Sequence, residues 1–453
     1  MTRVAVHFND AGITLLDDSQ ILYREPGFAY LEDKNLTTGI AAFQNARIDP
    51  RRIQHRYWAE LTTDSLPDRR FSNLSAADLV SRQLEQMMRA ARGAELVAAV
   101  PAYMNAPNLG LLLGIAGELK LPIVAMVDSA IAATRREYRG AVPVHIDVSL
   151  HSTTLVKLSQ PGHVQIERTE ILNGCGTYGL SDGWLNAVSE AFVQQSRFDP
   201  LHTAETEQLL VNRIAGWLSE AAQSDHVNLH IEFRGTTYEA RIDSLRLIAA
   251  VAPVYEQIAS KLRAMFRADE VPAIQITDRA ARLPGLAEML KARVGGEIFV
   301  LEAGATARGA LARCRDYAGS AEGVTLIRQL PWDQAAVELA QIVEEHIQAG
   351  APTHLLFGNT AHFIGNSPIV IGSEESGTDK FVLLDTEMPG VSRRHCSLKR
   401  LKGQCILEDH SRYGTFLNGH RIEGSSALQI GDSVRVGAPG YEFKLIVTDD
   451  QSG

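Results

Sequence analysis

The segment VSRRHCSL (391–398), followed after one further strand-like run by SRYGTFLNG (411–419), decides how the C-terminal part of the chain is read. Between Val391 and Lys402 stand five cations, Arg393, Arg394, Lys399, Arg400 and Lys402, and no acid. The second segment supplies small hydrogen-bonding groups on turns: Ser411, Gly414, Thr415, Asn418 and Gly419. A cluster of anionic oxygens needs such a surface, with charge-assisted donors, hydroxyls, and backbone that glycine lets come close. The blander reading is a positively charged loop on an ordinary β-domain. Around both segments, short apolar runs between 353 and 448 alternate with turn signals such as Gly365-Asn366, Pro389-Gly390 and Gly431-Asp432. That rhythm predicts a β-sandwich.

Taken together, the two motifs resemble the forkhead-associated (FHA) domain, a β-sandwich that reads phosphothreonine. The family's pattern is a Gly-Arg pair ending an early strand, then SRxH, then NGTxxNG. Ser392-Arg393-Arg394-His395 matches the second part in full, and residues 414–419 match the third, with Tyr413 in place of the first asparagine. The resemblance implies that Ser392 bonds the phosphate and that His395 holds the loop. It implies that Thr415 lies near the threonine methyl and the phosphate, and that Asn418 bonds the peptide backbone. Arg393, Arg394, Arg412 and Gly414 would border the phosphopeptide, with Gly372 and Gly419 structural. One position departs: the pair reads Gly372-Ser373, without the arginine. Losing a charge-assisted bond to a dianion costs on the order of 1.5–3 kcal/mol. Arg394 and Arg412 are the candidates to replace it. Docking of an unphosphorylated partner surface remains the alternative.

At 453 residues the chain has room for two or three domains. Its net charge of −10 argues against broad nucleic-acid or membrane-surface binding. Cys175, Cys314, Cys396 and Cys405 form no CxxC pair, which suggests neither a zinc site nor a disulfide framework and fits a reducing compartment. MTRVAVHF enters a strand pattern directly, and no apolar run is long enough to span a bilayer. The expectation is a cytoplasmic protein with no membrane insertion and no nucleic-acid partner. His145, His151 and His163 have no metal-ligand spacing, and no nucleophile or paired-carboxylate arrangement can be placed, so neither a metal nor a catalytic residue is proposed.

The N-terminal part opens on a hairpin, 3–8 and 13–16, followed by a loop-rich stretch holding RIDPRRIQHRYW (47–58). Ser75 and Asp78 cap a helix whose stripe is Leu79, Val80, Leu84, Met87, Met88 and Ala91. A buried strand (95–100), a helix, a strand (123–127) and a helix (129–138) then form an α/β unit with a parallel sheet. Pro101-Ala102-Tyr103, Ile115-Ala116-Gly117 and 129–133 resemble segments of the DnaK-type heat-shock chaperones. The strand pair 144–158, the glycine-containing turn at 173–187, the helices 204–222 and 242–268, and 274–290 with 302–313 follow in the same order. The resemblance implies an α/β actin-like, two-lobed ATPase fold over 1–328. A helical connector with the stripe Ala336, Leu339, Ala340, Val343 and Ile347 is expected over 329–351, and the FHA domain over 352–450.

In that family two glycine-rich hairpins, each with an aspartate, hold the nucleotide phosphates and their metal. Here the first hairpin reads His7-Phe8-Asn9-Asp10-Ala11 and the second Asp147-Val148-Ser149-Leu150-His151-Ser152, without the glycines. A Cβ at those places blocks close approach of a triphosphate. The adenosine motif becomes 276–284, where Asp278 should repel an anion. Asn212, Ala215 and Gly216 stand where the adenine clamp would be, and Arg56 is a neighbouring candidate for the catalytic lysine. Any nucleotide site would rest on Asp10, Gly12, Asp147, Gly174 and Gly176. The favoured expectation is an inactive ATPase-like body fused to an FHA domain that docks a protein partner, through phosphothreonine. Its rival is an ATP- and Mg-binding chaperone-like switch whose FHA domain recruits clients. Filament formation has no specific sequence support.

Overall fold

The computed structural model describes residues 2–32, 35–91, 93–267, 269–314, 324, 326–339, 352–358, 360–365, 367–374, 380–384, 389–401, 404–437 and 440–447. The chain divides into two compact units, Met1–Gln341 and Ile342–Gly453.

The first unit is a mixed α/β body built on two sheets. Apolar runs with buried residues on both faces make its central strands, as parallel sheets require. One sheet holds β1 (Arg3–His7), β2 (Ile13–Leu16), β3 (Ile21–Glu25), β4 (Glu95–Val100) and β5 (Ile123–Asp128). The other holds β6 (Val142–Val148), β7 (Ser152–Ser159), β8 (Val164–Asn173), β9 (Pro272–Ile276) and β10 (Glu297–Val300). The spatial order is β3-β2-β1-β4-β5 in the first and β8-β7-β6-β9-β10 in the second, each extended by one short edge strand. In both, an antiparallel meander of three strands is continued by two parallel ones. The same topology thus occurs twice.

Helices cover these sheets. α1 (Ala76–Met88) starts at the expected capping box, in which Ser75 and Asp78 bond reciprocally, and buries Leu79, Val80, Leu84, Met87 and Met88. α2 (Ala106–Glu118) follows β4. α3 (Thr177–Ser196), α4 (Ala204–Ala221) and α5 (Ser244–Arg263) lie between β8 and β9 in sequence and share a core with β6, in which Trp184, Phe192, Trp217 and Tyr255 are buried.

Three expected elements differ. The helix expected at 129–138 ends at Ala133, and Tyr138–Arg139 is a short strand. The helix expected from 242 begins at Ser244 and ends at Arg263, because His226–Phe233 and Thr236–Asp243 form a hairpin before it. Val227, Leu229 and Ile231 alternate inward there, a period-2 signal in a stretch between the two expected helices. The connector is extended where it is described. Val337 and Glu338 pair in parallel with Tyr138 and Arg139, and Asp333 bonds Arg135 at 2.5 Å. Tertiary pairing overrides a modest helical stripe here; the rest of that stripe lies outside the described residues.

The second unit is a β-sandwich. One sheet orders Thr360–Phe363, His354–Phe357, Tyr441–Ile446, Ser433–Val436, Thr415–Leu417 and His420–Arg421. The other orders Lys380–Leu383, Ile369–Gly372, Cys396–Leu401, Gln404–Asp409 and Ser425–Leu428. Alternation drives the packing: Phe443 and Leu445 point inward while Glu442 and Lys444 point out, and they meet Ile371, Leu398, Leu407 and Val434.

Candidate functional site

In the second unit, the two motif loops are joined by a buried histidine. The Ser392 amide donates to His395 Nδ1 at 3.0 Å, and His395 Nε2 donates to the Gly414 carbonyl at 3.3 Å. Those partners require the neutral ring with its proton on Nε2. Burial lowers the His395 pKa and keeps that form. The Arg412 amide closes the pair by donating to Ser392 Oγ at 3.2 Å. The Gly414 amide donates to Ser411 Oγ at 2.7 Å. Ser392 and the Arg412 backbone are therefore placed side by side.

Cations surround this junction. The Arg393 side chain is 84% exposed and pairs with Glu374 at 3.2 Å. Arg394 and Arg412 are exposed, and the Arg412 guanidinium lies 5.9 Å from the centroid of the Tyr413 ring. Ser373, where the family's arginine is absent, donates its amide to the Ser392 carbonyl at 3.3 Å. An acid, Glu374, thus enters the rim beside it, a feature the motif comparison overlooked.

Two expected ligand contacts have other partners. Thr415 is fully buried, and its hydroxyl donates to Asp409 Oδ1 at 2.8 Å. Burial opposes ionisation of Asp409, but bonds from Ser411 and Thr415 outweigh it and hold its pKa below the ordinary value. Asn418 is exposed in a left-handed turn at φ 49°, donates to Asp432 at 2.7 Å and accepts from the Ser433 amide at 2.9 Å. Gly419 completes that turn at φ 82°. In this arrangement Thr415 and Asn418 shape the loops, and the Ser392 hydroxyl lies beside the Arg412 amide.

In the first unit, the aspartates of the two expected phosphate hairpins are present and buried. Their hairpins bond each other. Asn9 Nδ2 donates to Asp147 Oδ2 at 2.7 Å, and the Leu150 amide donates to Asp10 Oδ1 at 2.8 Å. Arg279 lies across both, donating to the Gly12 carbonyl at 3.0 Å and to the Val148 carbonyl at 3.3 Å. Thr277 Oγ1 donates to Asp147 Oδ1 at 3.1 Å, and His7 Nε2 stands 3.2 Å from its Oδ2. Burial disfavours the Asp147 charge, yet His7 and Arg279 outweigh it and hold the carboxyl well below the usual range. Burial pushes Asp10 the other way, up to about 6.

The α3 N-terminus is also committed. The amides of Thr177 and Tyr178 donate to the Ser149 and Leu150 carbonyls, both at 2.9 Å. Gly174 gives its amide to the His151 carbonyl at 2.8 Å, and a Cβ on Gly176 would stand 2.3 Å from the Leu150 oxygen. Gly176 thus packs the helix start onto the hairpin turn, and Gly174 takes the left-handed conformation before it at φ 80°. His151 sits on that turn with its Nε2 3.1 Å from His55 Nδ1. Arg56 is bonded to Glu60 at 2.8 Å. Asp278 corrects its expected sign: Arg24, at 2.8 Å, and Arg282 both bond its Oδ2, so the local charge is positive.

Paired loops presenting a hydroxyl, amides and guanidiniums at a β-sandwich define a small recognition domain. Residues 369–437 match the family model of the FHA domain, so the chain carries a C-terminal FHA domain. FHA domains bind phosphorylated protein partners, and this one points to phosphothreonine-dependent protein–protein interaction. A comparison of the chain with curated proteins gave no match. Among the described residues, no helix is long and apolar enough to cross a membrane.

Proposed function

We propose that the chain is a cytoplasmic adaptor whose FHA domain docks a threonine-phosphorylated protein through Ser392, Arg394 and Arg412. The observation that carries this reading is the junction built by His395, which sets the Ser392 hydroxyl beside the Arg412 amide under exposed cations. A phosphate bridging these groups gains charge-assisted bonds without reorganising the loops. The absent arginine is offset in part by Arg394 and Arg412.

Binding of phosphothreonine peptides to the full chain, read by fluorescence polarisation, tests it. Ser392→Ala is expected to weaken binding about tenfold, the worth of one hydrogen bond to a charged group. Glu374→Gln is expected to strengthen it about threefold, since it removes a rim acid and releases Arg393. Equal affinity for phosphorylated and unphosphorylated peptides would leave only a phosphate-independent docking surface.

The body fits an inactive actin- or DnaK-like ATPase. The repeated strand order of its two sheets supports that fold reading. The bonds between the hairpins weigh against ATP and Mg, because Asp147, one oxygen of Asp10 and the amides that would serve them are already engaged. Saturation binding of labelled ATP with magnesium is expected to show no site; micromolar affinity would restore the chaperone-like switch.

A further inference from the structure

The first unit contains a cavity of about 610 Å³, bordered by Gly12, Ala215 and Arg282 of the expected nucleotide site. Its size falls in the range of small-molecule sites, roughly 300–1,000 Å³. We infer that it binds a small amphipathic monoanion, with an apolar, ring-bearing or acyl body and a single carboxylate.

The body of the ligand follows from the walls. Phe28 and Phe43 meet edge to face with centroids 5.1 Å apart, and Trp184 of α3 with Ile214 and Leu218 of α4 continue the apolar lining. Tyr178 stacks on His55 at 4.2 Å, which gives a flat aromatic shelf beside them. Ala215, also of α4, lines the cavity with only a methyl and is exposed to it, so the space is not filled by the protein's own side chains.

The head of the ligand follows from the charges. The ionised side chains lining the cavity are Arg24, Arg47, Arg279, Arg282 and one acid, Glu25. The carboxylates that pair with Arg24, Arg282 and Arg47, namely Asp278, Asp182 and Glu207, are not part of the lining. Asp278 serves two guanidiniums through one oxygen, which leaves about one positive charge uncompensated at that corner. One carboxylate neutralises it. A triphosphate brings several charges and needs backbone amides that Asp10 and the α3 contacts have already taken. The inference stands on this cavity and does not depend on the phosphothreonine reading of the second unit.

Calorimetric titration of the full chain with 2-naphthoate, and with the neutral isostere 2-naphthamide, tests it. Naphthoate is expected to saturate one site per chain and to bind several-fold more tightly than naphthamide. Ala215→Trp fills the cavity from an exposed helix position and is expected to abolish binding without lowering the melting temperature; Ser219→Phe, on the same lining, replaces it should that variant not fold. Arg282→Gln, whose side chain is 53% exposed, is expected to weaken naphthoate about three- to fivefold and leave naphthamide unchanged. The inference is overturned by no saturable binding, by equal affinity for the two probes, by naphthoate binding that survives the cavity-filling variant, or by tighter binding of ATP with magnesium at the same place.

Discussion

A Gly372→Ala chain is expected to lose about 3 kcal/mol of stability in its second unit, the upper part of the usual overpacking range, and its phosphopeptide binding with it. The added Cβ would stand 1.9 Å from the Arg393 carbonyl oxygen and 2.7 Å from its carbon. Both are backbone atoms, so no side chain can swing aside. The loop cannot easily retreat either, because the His395 amide donates to the Ile371 carbonyl at 2.8 Å, and the Ser373 and Glu374 amides donate to the Ser392 and Arg393 carbonyls at 3.3 Å. Relief of the clash must therefore move Ser392 away from Arg412. Urea denaturation with a peptide-binding assay on the same preparations checks this. Unchanged stability and affinity would show that the strand and the loop are not so closely packed.

Asp10→Asn is expected to stabilise the protein by about 3 kcal/mol at pH 7.5. Burial raises the Asp10 pKa to about 6 from an unfolded value of 3.8, and Oδ2 has no hydrogen-bond partner. Each unit of such a shift is worth about 1.4 kcal/mol. The sign is fixed by linkage: between 3.8 and about 6 the folded state holds the proton more tightly, so Asp10 costs stability as pH rises through that window, and the cost then stays constant. Asparagine does not titrate and its Oδ1 can keep the bond from the Leu150 amide. The gain should therefore be full above pH 6 and vanish toward pH 4 in urea melts across that range. A loss of stability at pH 7.5 would mean that the ionised carboxylate is needed to hold Arg279 across the hairpins.

The FHA motifs were legible because their work is local. Residues 392–395 and 411–414 each form one turn, and the spacing of hydroxyl, histidine and glycine along a turn survives in the linear sequence. The sandwich was legible for a similar reason, since turns and alternating apolar residues recur along the chain. Other features lay beyond such reading. Thr415 and Asn418 carry the family's residues, yet their hydroxyl and amide go to Asp409 and Asp432. The hairpin at 226–243 was hidden by the stronger helical stripe after it, and the extended course of 332–339 depends on Tyr138 and Arg139, far away in sequence.

By itself the sequence determined the pairing of an α/β body with a C-terminal β-sandwich, the two recognition motifs, and the absence of glycine from residues 7–11 and 147–152. Those follow from periodicity and from what a Cβ permits at a turn. Only the tertiary structure decided how those two segments are held. Asn9 reaches Asp147, Leu150 reaches Asp10 and Arg279 reaches Gly12 across more than a hundred residues of chain, and Asp278 changes from a repelling acid into the shared partner of Arg24 and Arg282. A hydrogen bond or an ion pair depends on distance in space, and folding alone brings such residues within reach.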